Sequence, residues 1–154
     1  MAQPLFANQR ETNLSSTVAL VEEILRELGH DTNASREQVP PGQHAWRIRT
    51  GSALTTISLF PTPDFIHIRC EAVVMTLDDK VDRVALFAHV LGLNATMCGN
   101  AFALHGDRLV IVAERSTLDI DRSEVRDLIT RVTTNADTHD DQLVARFGGT
   151  LGSA

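Results

Sequence analysis

The sequence predicts an α+β fold with the element order α-βββ-α-ββ-α and a mainly antiparallel sheet. Three observations lead to this prediction. Apolar and polar residues alternate in three consecutive stretches between residues 44 and 74, as they do in half-buried strands. Two more apolar runs follow around residues 101–116, and apolar residues recur at helical spacing before, between and after the two strand blocks. Strands that run in blocks between helices indicate the α+β class.

The stretch 101–116 has the features of a β-hairpin. Its two apolar runs are separated by residues 105–107, a short turn that contains a glycine. The second run, residues 109–113, places branched apolar side chains on both faces, with Val110 and Val112 on the same face. A strand that is apolar on both faces is usually covered on both. We therefore expect this hairpin to be central in the sheet.

Periodicity and turn residues place the other elements. The first three strands are predicted at residues 44–50, 53–60 and 64–74. The helices are predicted to start at Asn13, Ser15 or Ser16, at Asp78 or Asp79, and at Asp121, and to end near Gly29, Leu93 and Gly148. The last helix opens with a capping box, Asp121 and Glu124. The buried stripe of the second helix is expected to be Val81, Val84, Ala85, Ala88 and Leu91.

The chain length of 154 residues predicts one domain. We expect a flexible N-terminal arm at residues 1–13, a single domain at 14–149 and a tail at 150–154. A domain of this size needs no disulfide or metal for stability. The two cysteines, Cys70 and Cys98, form no CxxC pair, so reduced thiols are expected.

The net charge of −6 argues against a general duplex-DNA binder, because contacts to phosphates need clustered positive charge. The N-terminus lacks the apolar segment of a signal peptide, and no apolar run approaches the length of a membrane span. These features are typical of a soluble cytoplasmic protein that does not bind a membrane.

The sequence contains no constellation of residues that indicates an enzyme. None of the six histidines has the spacing of a zinc motif, and His139, Asp140 and Asp141 are successive residues that do not share a helix face. No phosphate-binding loop is present. We therefore expect no catalytic residue, no metal and no cofactor.

Four strings of residues carry a resemblance to a known family. They are the passage 86–116 with Leu93-Asn94 and Ala101-Phe102-Ala103-Leu104, the residues Leu118-Asp119-Ile120-Asp121, the pair Ala136-Asp137 with Asp141-Gln142-Leu143, and Phe147-Gly148-Gly149. In these strings the chain resembles the bacterial YbjN family, whose fold is similar to type III secretion chaperones of the Tir type. The resemblance covers roughly residues 14–149.

The resemblance implies a chaperone-like or regulatory module that binds other proteins. We expect it to recognise an unidentified client protein as a homodimer. An alternative from another class is an accessory protein that binds single-stranded nucleic acid, because Arg47, Arg49, His67 and Arg69 are predicted to share the outer sheet face.

The dimer is expected to involve the second helix and the hairpin. Phe87 and Val90 lie off the predicted apolar stripe of that helix, and Val110 and Val112 add to the apolar surface of the hairpin. A soluble monomer rarely leaves a large apolar patch bare. The four residues are therefore predicted to form the interface.

Overall fold

A computed structural model describes residues 5–152, with side chains from residue 9 onward. Within this range the helices are α1 (Leu5–Glu27), α2 (Thr32–Ser35), α3 (Arg83–Asn94) and α4 (Arg122–Phe147). The strands are β1 (His44–Thr50), β2 (Ala53–Pro61), β3 (Ile66–Thr76), β4 (Ala101–His105), β5 (Arg108–Ser116) and β6 (Thr150–Leu151). The predicted α+β class with a mainly antiparallel sheet is confirmed.

The strand order is β1-β2-β3-β5-β4, and every neighbouring pair is antiparallel. The longest strand, β3, is central and β4 lies at an edge, so the expectation of a central hairpin is wrong. β5 is buried on both faces for a local reason. Val110 lies in register between Val73 and Ala103, and neighbours on the same face of a sheet shield one another from water.

One face of the sheet, here called the inner face, carries the core. The long helix α4 packs across β1, β2, β3 and β5, and α1 packs beside it. The predicted apolar stripe of α4 is buried, at Val125, Leu128, Ile129, Val132, Ala136 and Leu143. Its predicted capping box is present as well, because the Glu124 amide donates to Asp121 Oδ1 at 2.9 Å and the Asp121 amide donates to Glu124 Oε2 at 3.0 Å.

The termini of the domain differ from the prediction. α1 begins at Leu5, so residues 5–13 of the predicted arm are helical, and residues 1–4 lie outside the described range. Asn13 is not a helix cap, because it lies inside α1. Its side-chain Nδ2 donates to the Thr117 carbonyl at 3.1 Å and joins α1 to the end of β5. Part of the predicted tail, Thr150–Leu151, pairs with the end of β3, where β2 has already ended.

The turn between β1 and β2 is attached to α4 by polar contacts. The Ser52 amide donates to Asp137 Oδ1 at 2.9 Å, and the Ser52 hydroxyl donates to Asp140 Oδ2 at 2.5 Å. Gly51 has a φ of 58°, and a Cβ at that position would lie 2.0 Å from Asp137 Oδ1. The contact therefore requires glycine at this turn. It also explains why α4 carries carboxylates on its sheet-facing side.

Candidate functional site

The helices leave uncovered the face of the sheet opposite α4, here called the outer face. Its side chains alternate with the buried ones along each strand, as the burial pattern of β2 shows. The middle of this face forms a shallow concavity of about 640 Å³. Its lining includes Arg47, Leu54, Thr56, Ser58, Arg69, Glu71 and Val73.

The four side chains predicted to share the outer face do so. Arg47 pairs in register with Thr56, Arg49 with Leu54, Arg69 with Ser58, and His67 with Phe60, all on the same side of the sheet. The alternation of apolar and polar residues in β1 and β3 was sufficient to predict this shared face. Side chains of a strand point alternately to its two faces, so the face of each residue is known once one neighbour is known to be buried.

Carboxylates lie next to three of these side chains. Arg69 Nη2 lies 2.5 Å from Glu114 Oε2, and His67 Nδ1 lies 3.1 Å from Glu114 Oε1. Arg47 Nε lies 3.4 Å from Glu37 Oε1. The outer face is therefore a mixed surface of paired charges with apolar side chains between them, and it is not a field of free positive charge.

Trp46 and Phe65, the aromatic residues next to Arg47 and near His67 in the sequence, lie away from the concavity. Trp46 is fully buried on the inner face, and Phe65 is 43% exposed in the turn between β2 and β3. Neither ring lines the concavity. Phe60 does lie on the outer face beside His67, but the Arg69 guanidinium lies over its ring, 5.7 Å from the ring centre. The rings of Trp46 and Phe65 thus provide no platform in the concavity for the base stacking by which proteins bind single-stranded nucleic acid.

Helix α3 has an exposed apolar surface, but on other residues than expected. Val84 is 82% exposed and Leu91 is 65% exposed, although both were predicted to be buried. Val90 is buried instead, together with Leu86. The helix is apolar on most sides, so periodicity alone could not orient it.

The predicted interface residues therefore divide into two groups. Val90 lies in the core, and Val110 is buried on the outer face between Val73 and Ala103, with 4% and 1% of their surface exposed. Phe87 and Val112 are only partly buried. The apolar surface available to a partner on this side is formed by Val84, Phe87 and Leu91, which are spaced three and four residues apart on one helix face.

The edge strand β1 is covered along only half of its length. The first half of β1 is covered, because the Glu37 amide donates to the Ala45 carbonyl at 2.9 Å and Arg36 forms a bridge with Trp46. The second half of β1, residues 47–50, has no strand partner besides β2 among the described residues. This open half lies beside the concavity of the outer face, since Arg47 belongs to both.

The ionisable groups of the described residues bear on metal binding and on thiol reactivity. Among residues 5–152 no three His, Cys, Asp or Glu side chains lie close enough together to hold a metal ion. Burial raises the pKa of the Cys70 thiol well above its ordinary value, which keeps that sulfur protonated and unreactive. None of the helices in the described part of the chain is both long and apolar enough for a membrane span.

Comparison with known proteins identifies the family. Residues 15–152 match the family described as the T3SS (YopN, CesT) and YbjN peptide-binding chaperone 1. The chain belongs to this family. Membership of this family indicates a peptide-binding chaperone of client proteins, a class that is not enzymatic. No curated protein matches the sequence significantly.

Solved structures share the fold at low sequence identity. The crystal structure of the ExsC–ExsE complex matches with a TM-score of 0.62 and 11% identity, over 84% of this chain and 95% of that one. The HopA1–SchA chaperone–effector complex matches with a TM-score of 0.55 and 12% identity, over 85% and 97% of the two chains. The ExoU–SpcU complex of Pseudomonas aeruginosa matches at 0.52 and 13%, over 82% and 96%.

Proposed function

We propose that this chaperone acts as a homodimer and holds an extended segment of its client protein on the outer face, beside the open half of β1. The observation that carries the proposal is the uncovered concavity of about 640 Å³ next to a strand edge without a partner. An extended peptide gains affinity from main-chain hydrogen bonds to such an edge, and specificity from pockets for alternate side chains.

The chemistry of the outer face suits a segment with both apolar and charged residues. Leu54 and Val73 supply apolar contact, and Arg47, Arg69 and Glu71 supply charges of both signs. Paired charges of this kind favour one register of a bound peptide over others, because a like charge placed opposite is costly. The structural neighbours are complexes with partner proteins, which supports a protein as the ligand.

The second part of the proposal concerns the homodimer. On α3 the exposed Val84 and Leu91 and the half-buried Phe87 form an apolar strip that residues 5–152 leave open. A two-fold axis beside α3 would place this strip against its own copy, since the same patch is then used on both subunits. The client and the second copy would thus occupy different surfaces. The cytoplasmic location inferred from composition stays a prediction.

The client site is tested by filling the concavity. Thr56→Tyr combined with Ser58→Tyr places two large, strand-favouring side chains on the outer face. We expect affinity capture from the source organism to recover the same specific proteins with wild type and with the control Thr130→Tyr, an exposed position on α4. The filled variant should recover about tenfold less. Equal recovery by the filled variant would contradict the site.

The dimer is tested by light scattering at micromolar concentration. Wild type should give twice the chain mass of 16.9 kDa, and Val84→Asp combined with Leu91→Asp should give the single mass. Both residues are exposed, so the folded state of the chain tolerates the charges. The matched control is Leu118→Asp, which replaces a 50% exposed leucine away from α3. A wild-type mass of 16.9 kDa would end the dimer proposal.

The nucleic-acid alternative is not favoured by any contact on the outer face. Glu37 and Glu114 form ion pairs with Arg47 and Arg69, two of the three arginines on which that alternative rests, and Glu114 also contacts His67. Counterion release by free cationic groups is the main source of affinity for phosphates, and paired groups provide little of it.

A further inference from the structure

The edge strand β4 has a feature that bears on how a client can bind. An edge strand presents unpaired N–H and C=O groups to which another extended chain can add. β4 pairs with β5 on one side, in register from Ala101 with Val112 to His105 with Arg108. No other strand of residues 5–152 lies on its second side.

A single side chain occupies the middle of that second side. The Phe102 amide donates to Asn94 Oδ1 at 2.7 Å, and Asn94 Nδ2 donates to the Phe102 carbonyl at 3.2 Å. These two bonds are the pair that one residue of an antiparallel neighbour exchanges with the residue opposite. The Asn94 carboxamide therefore takes the place of a neighbouring strand at Phe102.

Asn94 is held in this position by the helix that carries it. It is the last residue of α3, and α3 packs against β4. Leu86 and Val90 anchor the helix in the core, so the amide is presented by a fixed backbone. The next residue of β4 whose main-chain N–H and C=O point away from β5 is Leu104, two positions along the strand. Its side chain is 49% exposed, and no side chain of the described residues pairs with its main chain as Asn94 does with Phe102.

We infer that Asn94 is a specificity-determining residue, whose carboxamide closes the β4 edge to strand addition and leaves backbone pairing to the open half of β1. The inference rests on the proposed function for its biological meaning, because it decides which edge an extended client can use. Asn94 excludes extended peptides of any sequence from the β4 edge, because strand addition there uses main-chain hydrogen bonds alone.

The test uses a fluorescently labelled peptide with the sequence of residues 108–116, the strand that β4 already accepts on its other side. Binding is followed by fluorescence anisotropy. Asn94→Ala should bind this peptide about tenfold more tightly than wild type, a gain of about 1.4 kcal/mol. The same peptide with proline in place of Val110 and Val112 should not show the gain, because proline removes main-chain donors.

A second variant keeps the test decisive if the first does not fold. Asn94→Asp retains an acceptor for the Phe102 amide but has no donor for the Phe102 carbonyl. We expect it to open one of the two contacts and to bind the peptide about threefold more tightly than wild type. The matched control is Thr96→Ala, which changes a hydroxyl just beyond the same helix end and should bind like wild type.

Hydrogen exchange shows whether the edge was opened. The Phe102 amide should exchange faster in Asn94→Ala without peptide and slowly again with peptide bound. If folded Asn94→Ala and Asn94→Asp bind no better than wild type, the inference is wrong. That result leaves client capture by wild type untouched, whereas a wild type that captures no client refutes the proposed function alone.

Discussion

Helices α4 and α3 both pack against the sheet, yet only one of them could be oriented from the sequence. α4 is amphipathic, with buried apolar residues from Val125 to Leu143 and exposed polar residues between them. α3 is short and apolar on most sides, and the face expected to be buried turns out to carry Val84 and Leu91 in water. The contrast shows that an apolar periodicity predicts which face of a helix is buried only where a polar face lies opposite the apolar one.

The two helices also differ in what their exposed sides can do. The exposed side of α4 is polar, and two carboxylates nearer the sheet, Asp137 and Asp140, hold the β1–β2 turn. The apolar side of α3 has no partner within the described chain. A helix that fails to follow the amphipathic rule is therefore the better candidate for contact with a second molecule.

The largest expected effect tests which face of each helix is buried. Ile129→Ala on α4 and Leu86→Ala on α3 should each lower the free energy of unfolding by about 2–5 kcal/mol, the usual cost of emptying a fully buried aliphatic site. Leu91→Ala should change it by less than about 0.5 kcal/mol. Urea denaturation of the Val84→Asp background, in which the proposed interface is removed, measures all three without the effect of dimerisation.

A different ranking would break the comparison. If Leu91→Ala proved as costly as Leu86→Ala in that background, the stripe predicted from periodicity would be the buried one. If the loss of unfolding free energy is instead large for Ile129→Ala and Leu86→Ala and small for Leu91→Ala, α3 packs through Leu86 and Val90.

Most of the fold could be predicted because its signals are local. The strand bounds of β1, the capping box of Asp121 and the shared face of Arg47 and Arg69 follow from residue alternation and cap chemistry. The position of the hairpin at the edge, in contrast, depends on which strands pair, and the residues of a single strand do not determine its pairing partners.

The candidate site was less accessible to such reasoning because its features join distant parts of the chain. The pairing of Arg69 with Glu114 and the contact of Asn94 with Phe102 both depend on the folded chain. In the sequence Asn94 belongs to one of the strings that carry the family resemblance. Its proposed role as a substitute for a neighbouring strand depends on the position of β4 at the edge of the sheet, which is a property of the folded chain.

The smallest expected effect concerns the region where α4 meets β4 and α3. The His139 ring packs edge-on against Phe102, with ring centres 5.5 Å apart, and His89 on α3 contacts the Phe147 ring at the same centre distance. Burial and, to a lesser degree, the nearby His89 lower the pKa of His139 below its ordinary value. The folded chain thus binds a proton at His139 less readily than the unfolded chain does.

The sign of the pH effect follows from this shift. Because the unfolded state takes up the proton first, stability is complete above pH 6.5, the ordinary pKa of histidine, and falls as the pH drops below it. His139→Gln should flatten this fall, measured as the thermal midpoint between pH 8 and pH 5. The control Thr138→Ala, an exposed neighbour, should keep the wild-type slope. An unchanged slope in His139→Gln would show that this contact between α4 and β4 is not sensitive to protonation.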